Sequence, residues 1–130
     1  RSNHNMVSTN SIMEIDLTGQ VNSETIGTRQ YSGPGGAFDF AYGAAHSKGG
    51  RSILIMHATT NKGATKIKSV LPSGAAVTIP RTYTDYVVTE YGVAHLRGRS
   101  VADRARDLIA IAHPSVRDEL TFEAKKLMYL

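Results

Sequence analysis

The sequence predicts a mixed α/β domain, a largely central β-sheet with flanking helices, and three observations predict it. Residues 12–18 set Ile12, Met13, Ile15 and Leu17 among Glu14, Asp16 and Thr18, the near-alternation of a strand with one buried face. Ile53-Leu54-Ile55-Met56 is an unbroken apolar run of strand length. Val101, Ala105, Leu108, Ile109 and Ala112, then Val116, Leu120, Ala124 and Leu127, recur at helical spacing.

At 130 residues and 41% hydrophobic, the chain has enough apolar material for one domain, residues 1–130, around one core. The absence of cysteine excludes disulfides, thiol nucleophiles and thiolate metal sites. A net charge of +4 favours an anionic partner, but Lys and Arg are scattered and form no basic tail. No apolar stretch is long enough for a membrane span and none resembles a signal peptide. The expected compartment is therefore the cytoplasm, or the mitochondrion in a eukaryote. The chain opens on Arg1 rather than methionine, so it is expected to be an excised domain of a longer protein.

The elements follow in order. Residues 1–10 are polar and aperiodic, a loop or an entering edge. The strand over residues 12–18 turns at Gly19-Gln20 and returns as Val21-Asn22-Ser23, a hairpin. Glu14 and Asp16 lie two apart on one strand face. They fit either a pair of carboxylates for acid/base work or a polar face meeting a basic neighbour. Residues 37–45 are Ala-rich with Phe38 and Tyr42 four apart and are expected to be helical. Lys48-Gly49-Gly50-Arg51 is the turn after that helix, and residues 52–56 form a strand buried on both faces. That strand runs into a hydroxyl-rich tip, residues 57–63, at the carboxyl end where open α/β sheets collect ligands.

Further strands are expected over residues 65–71 and 76–79, separated by the Pro72-Ser73-Gly74 turn, and over residues 86–91, where Gly92 ends the pattern. The sheet is accordingly mixed, with a crossover early and hairpins late. Ser100 caps a helix with Asp103 three residues on, and Arg104, Arg106 and Asp107 fall on its solvated face. His113-Pro114 closes that helix and opens the last one.

The chemically loaded stretch is Tyr31-Ser32-Gly33-Pro34-Gly35-Gly36, immediately before the Ala-rich helix. Glycines reach positive φ and allow close backbone approach, while the free N–H groups of a helix start attract phosphate or a developing oxyanion. An ordinary glycine-rich turn between strand and helix fits the same local pattern. Lys62, between Asn61 and Gly63, fits a cation held near phosphate or an exposed loop lysine. No G-x-S-x-G, H-E-x-x-H or Walker loop is present, Phe38 stands where a dinucleotide fingerprint needs its third glycine, and the five histidines are isolated, so no metal is expected. The residues by themselves describe an anion-binding α/β domain.

Five stretches also carry a resemblance. They are Asn10-Ser11-Ile12-Met13-Glu14-Ile15-Asp16-Leu17-Thr18-Gly19-Gln20-Val21-Asn22, Gly33-Pro34-Gly35-Gly36 with Asp39-Phe40, Ser47-Lys48-Gly49-Gly50, Val88-Thr89-Glu90-Tyr91-Gly92-Val93-Ala94 with Leu96-Arg97-Gly98, and Ala112-His113-Pro114. In this order they resemble the C-terminal domain of the acetyl-CoA hydrolase/transferase family, which includes 4-hydroxybutyrate and succinate:acetate CoA-transferases. The resemblance implies a CoA-transferase (NagB/RpiA-like) domain with coenzyme A or acyl-CoA as substrate and no metal. It further implies a mechanism in which a glutamate attacks an acyl-CoA, giving an acyl-glutamyl anhydride and then a glutamyl-CoA thioester.

On that resemblance Gly36 offers the oxyanion N–H, with Ser32, Gly33, Gly35, Gly36, Lys62 and Asn3 contacting CoA or the acyl group. The family's Ala-Lys-Gly-Gly segment reads Asn61-Lys62-Gly63-Ala64 here, its last glycine replaced. The nucleophilic glutamate is expected in an N-terminal domain outside these residues, with Glu14 and Glu90 anchoring polar turns. Expected partners are acyl-CoA, a small carboxylate, that N-terminal domain and further copies of the full-length protein. The alternative is a non-catalytic phosphate- or nucleotide-binding module. A nucleic-acid binder or membrane protein is not expected: tryptophan is absent and the tyrosines are scattered.

Overall fold

A computed structural model describes residues 7–23, 25, 26, 29, 30, 42 and 50–130. The expectations for Asn3, Ser32, Gly33, Gly35, Gly36 and the helix over residues 37–45 lie outside the described residues, Tyr42 apart. Strands β1 (Val7–Ser11), β6 (Arg51–Ile55), β8 (Tyr86–Thr89) and β9 (Gly92–His95) form one sheet in the order β1-β6-β8-β9. The first three run parallel and β9 returns antiparallel beside β8. Strands β2 (Glu14–Asp16), β3 (Val21–Asn22) and β7 (Ile67–Lys68) form a second sheet, ordered β3-β2-β7, and β4 (Thr25–Ile26) pairs with β5 (Arg29–Gln30). Helices α1 (Val101–Ala110) and α2 (Arg117–Lys126) follow, joined through a 3₁₀ turn at Pro114–Val116. The mixed sheet and early crossover thus agree with the sequence pattern, whereas the hairpin expected between residues 65–71 and 76–79 does not form: β7 pairs in parallel with β2, Ile79 bridges Val21, and the late hairpin is β8–β9.

Register explains where the core sits. Asn10, Leu54, Val87 and Ala94 are successive partners across the first sheet and share one face. Leu54, Val87 and Ala94 are fully buried there. They join Ile12, Ile15, Leu17, Val21, Ile67 and Ile79 from the second sheet and its connections, with Ala105, Leu108 and Ile109 of α1 and Leu120 and Ala124 of α2, in one cluster. The opposite row, Ser11-Ile55-Val88-Val93, is open: Ile55 is 45% and Val93 62% exposed. The expectation that β6 is buried on both faces is therefore wrong. Its continuous apolar run conceals an alternating pattern, because parallel pairing buries the strand's backbone while only one side-chain face meets the core.

The single strand expected over residues 12–18 is divided between two sheets. Ile12 N–H donates to Ile55 O at 3.2 Å and completes the first sheet, whereas Met13 N–H donates to Asn22 O at 3.3 Å and begins the second. The polar start expected as loop or entering edge contains β1, an edge strand. Residues 65–71 shorten to β7 because Thr65 Oγ1 donates to Ile67 O at 2.8 Å and accepts from Ile67 N–H at 3.2 Å, a local loop that competes with ladder pairing. In residues 76–79 only Ile79 bridges, to Val21. Gly92 opens β9 rather than ending the pattern, since Glu90-Tyr91 is a two-residue hairpin turn between Thr89 and Gly92.

The helix signals hold more closely. Ser100 Oγ accepts from Asp103 N–H at 3.1 Å and caps α1, and His113 Nδ1 accepts from Ser115 N–H at 3.1 Å at the 3₁₀ turn. Arg104 departs from its expected solvated face and is 7% exposed. Its Nη1 donates to Thr18 O at 2.9 Å and Arg81 O at 2.7 Å, and its Nε to Arg99 O at 3.1 Å. Burial, reinforced by the charge of Arg81, pulls its pKa below the usual arginine value. The guanidinium ties α1 to the β2–β3 turn, where Gly19 at φ +100° leaves room that a Cβ would take, 3.1 Å from Arg104 Nη1.

Candidate functional site

The parallel strands β1, β6 and β8 end together, and at that edge lies a cleft of about 450 Å³. Its floor is aliphatic, built by Ile12, Ile55, Met56 and Val88, and its rim carries Ser11, His57, Lys66, Thr89 and Glu90. Apolar walls with a few convergent polar groups at the carboxyl ends of parallel strands are the usual composition and place of a small-molecule site. Ser11, Ile55 and Val88 come together because they are register partners on three neighbouring strands. Lys66 joins them because its N–H donates to Ala58 O at 2.8 Å, folding the loop after β6 back onto the edge. Its ammonium forms no ion pair among the described residues.

Glu90 fixes the edge. Its Oε1 accepts from Ala58 N–H at 2.7 Å, so the β8–β9 turn grips the chain as it leaves β6. The Ala58 N–H and Glu90's own N–H hold the carboxyl below the ordinary glutamate range, helped by His57 Nδ1 3.6 Å from Oε2, while burial opposes the shift. With His57 84% exposed, that ion pair is screened and adds little; the backbone bond is the anchor. From the other side, Thr89 Oγ1 donates to Ile111 O at 2.7 Å, and Tyr91 meets the His113 ring edge-on with the Arg117 guanidinium 5.5 Å from its own ring centre. The turn is thus held at both ends, as the expectation that Glu90 anchors a polar turn requires.

Lys62 lies on the same loop but outside the cleft. It is exposed at the tip of a tight turn closed by Gly63 N–H to Thr60 O at 2.9 Å and Thr60 N–H to Ala64 O at 2.7 Å. Gly63 takes φ +87°, whereas Ala64 has no positive φ, so the turn needs the first glycine of the segment and tolerates alanine in place of the second. Glu14 is no partner in acid/base work with Asp16. It pairs with Lys68 Nζ at 3.0 Å and accepts from Asn22 Nδ2 at 2.8 Å, the basic-neighbour alternative. Asp16 is buried and accepts from Thr18 N–H at 2.9 Å, Thr18 Oγ1 at 2.7 Å and Gln20 N–H at 3.0 Å, closing the hairpin.

Among the described residues no cluster of three or more His, Asp or Glu can hold a metal, and no helix is long and apolar enough to cross a membrane. Sequence reasoning located the carboxyl end of β6 but passed over Lys66 and Ser11. Neither has a local signal; both enter the cleft through strand register and loop closure.

Fold and edge together define a mixed α/β domain with a cleft at the carboxyl ends of its parallel strands. The chain belongs to the acetyl-CoA hydrolase/transferase family: the model of that family's C-terminal domain matches residues 1–124. A 4-hydroxybutyrate coenzyme A transferase from Clostridium kluyveri is 54% identical over 125 residues, 95% of this chain and 29% of that protein. A probable butyrate:acetyl-CoA coenzyme A-transferase from Syntrophomonas wolfei is 50% identical, covering 93% of this chain and 28% of the relative. The crystal structure of RipA from Yersinia pestis superposes with a TM-score of 0.90 at 46% identity, over 98% of this chain and 29% of that one. The chain therefore spans under a third of the length of these relatives.

Proposed function

We propose that this chain supplies the CoA-holding and oxyanion-stabilising half of an enzyme that moves CoA between an acyl group and a small carboxylate, or to water. The observation that carries this reading is family membership across residues 1–124. It is supported by relatives named for transfer of CoA to and from four-carbon acids.

In this scheme a glutamate carboxylate from another part of the full-length protein attacks the thioester carbonyl. The C–S bond breaks and CoA leaves as thiolate, and the thiolate then attacks the glutamyl carbonyl of the anhydride and releases the acid. CoA remains on the glutamate as a thioester until water hydrolyses it to glutamate and free CoA, or an acceptor carboxylate attacks its carbonyl and expels CoA thiolate, which then attacks the acceptor's acyl carbonyl in the new anhydride and leaves as acyl-CoA with the glutamate restored. Each addition develops a negative oxygen, which the Gly36 N–H stabilises. Ser32 contacts CoA, Gly33 and Gly35 let the loop backbone come close to it, Asn3 contacts the acyl group, and Lys62 faces the CoA phosphates from its exposed turn. The other half of the site belongs to an N-terminal domain, and no metal takes part.

Mass spectrometry of the intact protein tests this directly. Mixing the full-length protein with acyl-CoA yields a covalent CoA adduct on one glutamate, and the adduct disappears on adding a carboxylate. The 130-residue chain alone yields neither adduct nor turnover. Absence of any adduct together with absence of exchange in the full-length protein would overturn the proposal in favour of a non-catalytic nucleotide-binding module.

A further inference from the structure

We infer that the cleft at the carboxyl edge of β1, β6 and β8 receives the aliphatic chain of the acyl group, with Ile55 and Val88 measuring its length. The inference rests on the proposed acyl transfer and adds where the chain lies and which side chains select it.

Ile55 and Val88 are directly opposed on neighbouring parallel strands, at the end of the row that faces away from the core. Ile55 is 45% exposed although it stands in the middle of a sheet, between β1 and β8. An exposed aliphatic side chain in a central strand, lining a cleft, is apolar surface that gains from a small apolar ligand. Ile12 and Met56, 5% and 6% exposed, close the floor beneath and belong to the core, so the floor is backed by rigid packing.

The rim matches the polar end of such a ligand. Lys66, whose ammonium forms no ion pair among the described residues, and Ser11, which carries a hydroxyl, line the same cleft as the aliphatic residues. A bare hydrocarbon would leave those groups without use, and a highly charged ligand would leave the floor without use. A short fatty acyl chain ending in a carboxylate or thioester carbonyl satisfies both. The volume of about 450 Å³ exceeds what a two-carbon acid fills, so the cleft discriminates by how far a chain extends along Ile55 and Val88.

The test uses the full-length protein with butyryl-CoA as donor and acetate or hexanoate as acceptor. Ile55→Phe and Val88→Phe shorten the cleft and lower the hexanoate-to-acetate ratio of kcat/KM by roughly tenfold, the scale at which a pocket senses a single methylene. Ile55→Ala raises the ratio. Val93→Phe lies on the same sheet face but outside the cleft and leaves the ratio unchanged. Hexanoate also shifts the methyl NMR signals of Ile55 and Val88 and leaves that of Val93 in place, a readout that does not depend on turnover. A ratio indifferent to Ile55 and Val88, or one that Val93→Phe moves equally, overturns the assignment and makes this face a packing surface. Methyl shifts without turnover would uphold the cleft while removing the transferase scheme, so the two claims fail separately.

Discussion

Replacing Arg104 with methionine should destabilise the domain by about 2–4 kcal/mol, and the structure sets that magnitude. Methionine keeps much of the buried stem and removes three donated hydrogen bonds. Thr18 O lies inside a buried turn and loses its guanidinium partner with no route to water, a loss of about 1–3 kcal/mol. Arg81 O and Arg99 O belong to exposed residues that water reaches, so each contributes about 0.5–1 kcal/mol. Relief of the guanidinium's desolvation returns part of the total. With a urea slope of ~1–3 kcal/mol/M, the unfolding midpoint of the chain, followed by circular dichroism, should fall by roughly 1–2 M without a change of slope. Arg104→Lys should lose nearly as much, because one ammonium cannot span three carbonyls. A loss below ~1 kcal/mol for Arg104→Met, or full rescue by lysine, would refute the claim that the buried fork ties α1 to the β2–β3 turn.

Further outcomes follow from the same contacts. Gly19→Ala forces a side chain into φ +100° and against Arg104 Nη1, and should cost about 1–3 kcal/mol in the same urea measurement. Glu90 has a folded pKa lowered by the Ala58 N–H first of all, so its contribution is complete above the ordinary carboxylate value near 4.5 and is lost as pH falls through the lowered one. The unfolding midpoint of Glu90→Gln should accordingly fall less steeply with acid than that of the unmodified protein, and equal steepness would remove Glu90 as the anchor. In the full-length protein Lys62→Ala should weaken CoA binding by about 1–3 kcal/mol and Lys62→Arg by less, read by calorimetry. Unchanged affinity in Lys62→Ala would take the turn out of the CoA site.

The legible part of the fold was what short-range physics dictates. Ser100 with Asp103, the Asp16-to-Gln20 hairpin and the middle of the apolar stripes of α1 and α2 depend on neighbours within a few residues and appear where the sequence places them, while the stripe ends Val101 and Leu127 are exposed. The hidden part depended on partners distant in sequence. Residues 92–95, Gly-Val-Ala-His, have no strand signature of their own and become β9 because β8 is available to pair. Arg104 reads as a surface arginine until Thr18, Arg81 and Arg99 converge on it.

The candidate site divides along the same line. The polar tip after β6 and the anchoring role of Glu90 were visible in the sequence, whereas Ser11 and Lys66 reach the cleft only through register and the fold of the 58–66 loop. The family, by contrast, was legible from ordered motifs: Val88-Thr89-Glu90-Tyr91-Gly92 supplies the cleft edge and its hairpin turn, and Asp16-Leu17-Thr18-Gly19-Gln20 supplies the turn that Arg104 locks.

The central claim, that the glycine-rich loop stabilises a developing oxyanion, is tested most directly by Gly36→Ala in the full-length protein, with thermal stability and turnover measured side by side. Gly74→Ala is the control: Gly74 turns the chain at φ +80°, with Ala75 N–H donating to Pro72 O at 2.9 Å, and lies outside the cleft. The account predicts that Gly74→Ala loses stability and keeps its turnover number, whereas Gly36→Ala loses roughly two to three orders of magnitude in turnover through a displaced N–H donor. Equal loss of stability in both variants, with turnover retained in both, would make Gly36 a turn glycine and contradict the claim.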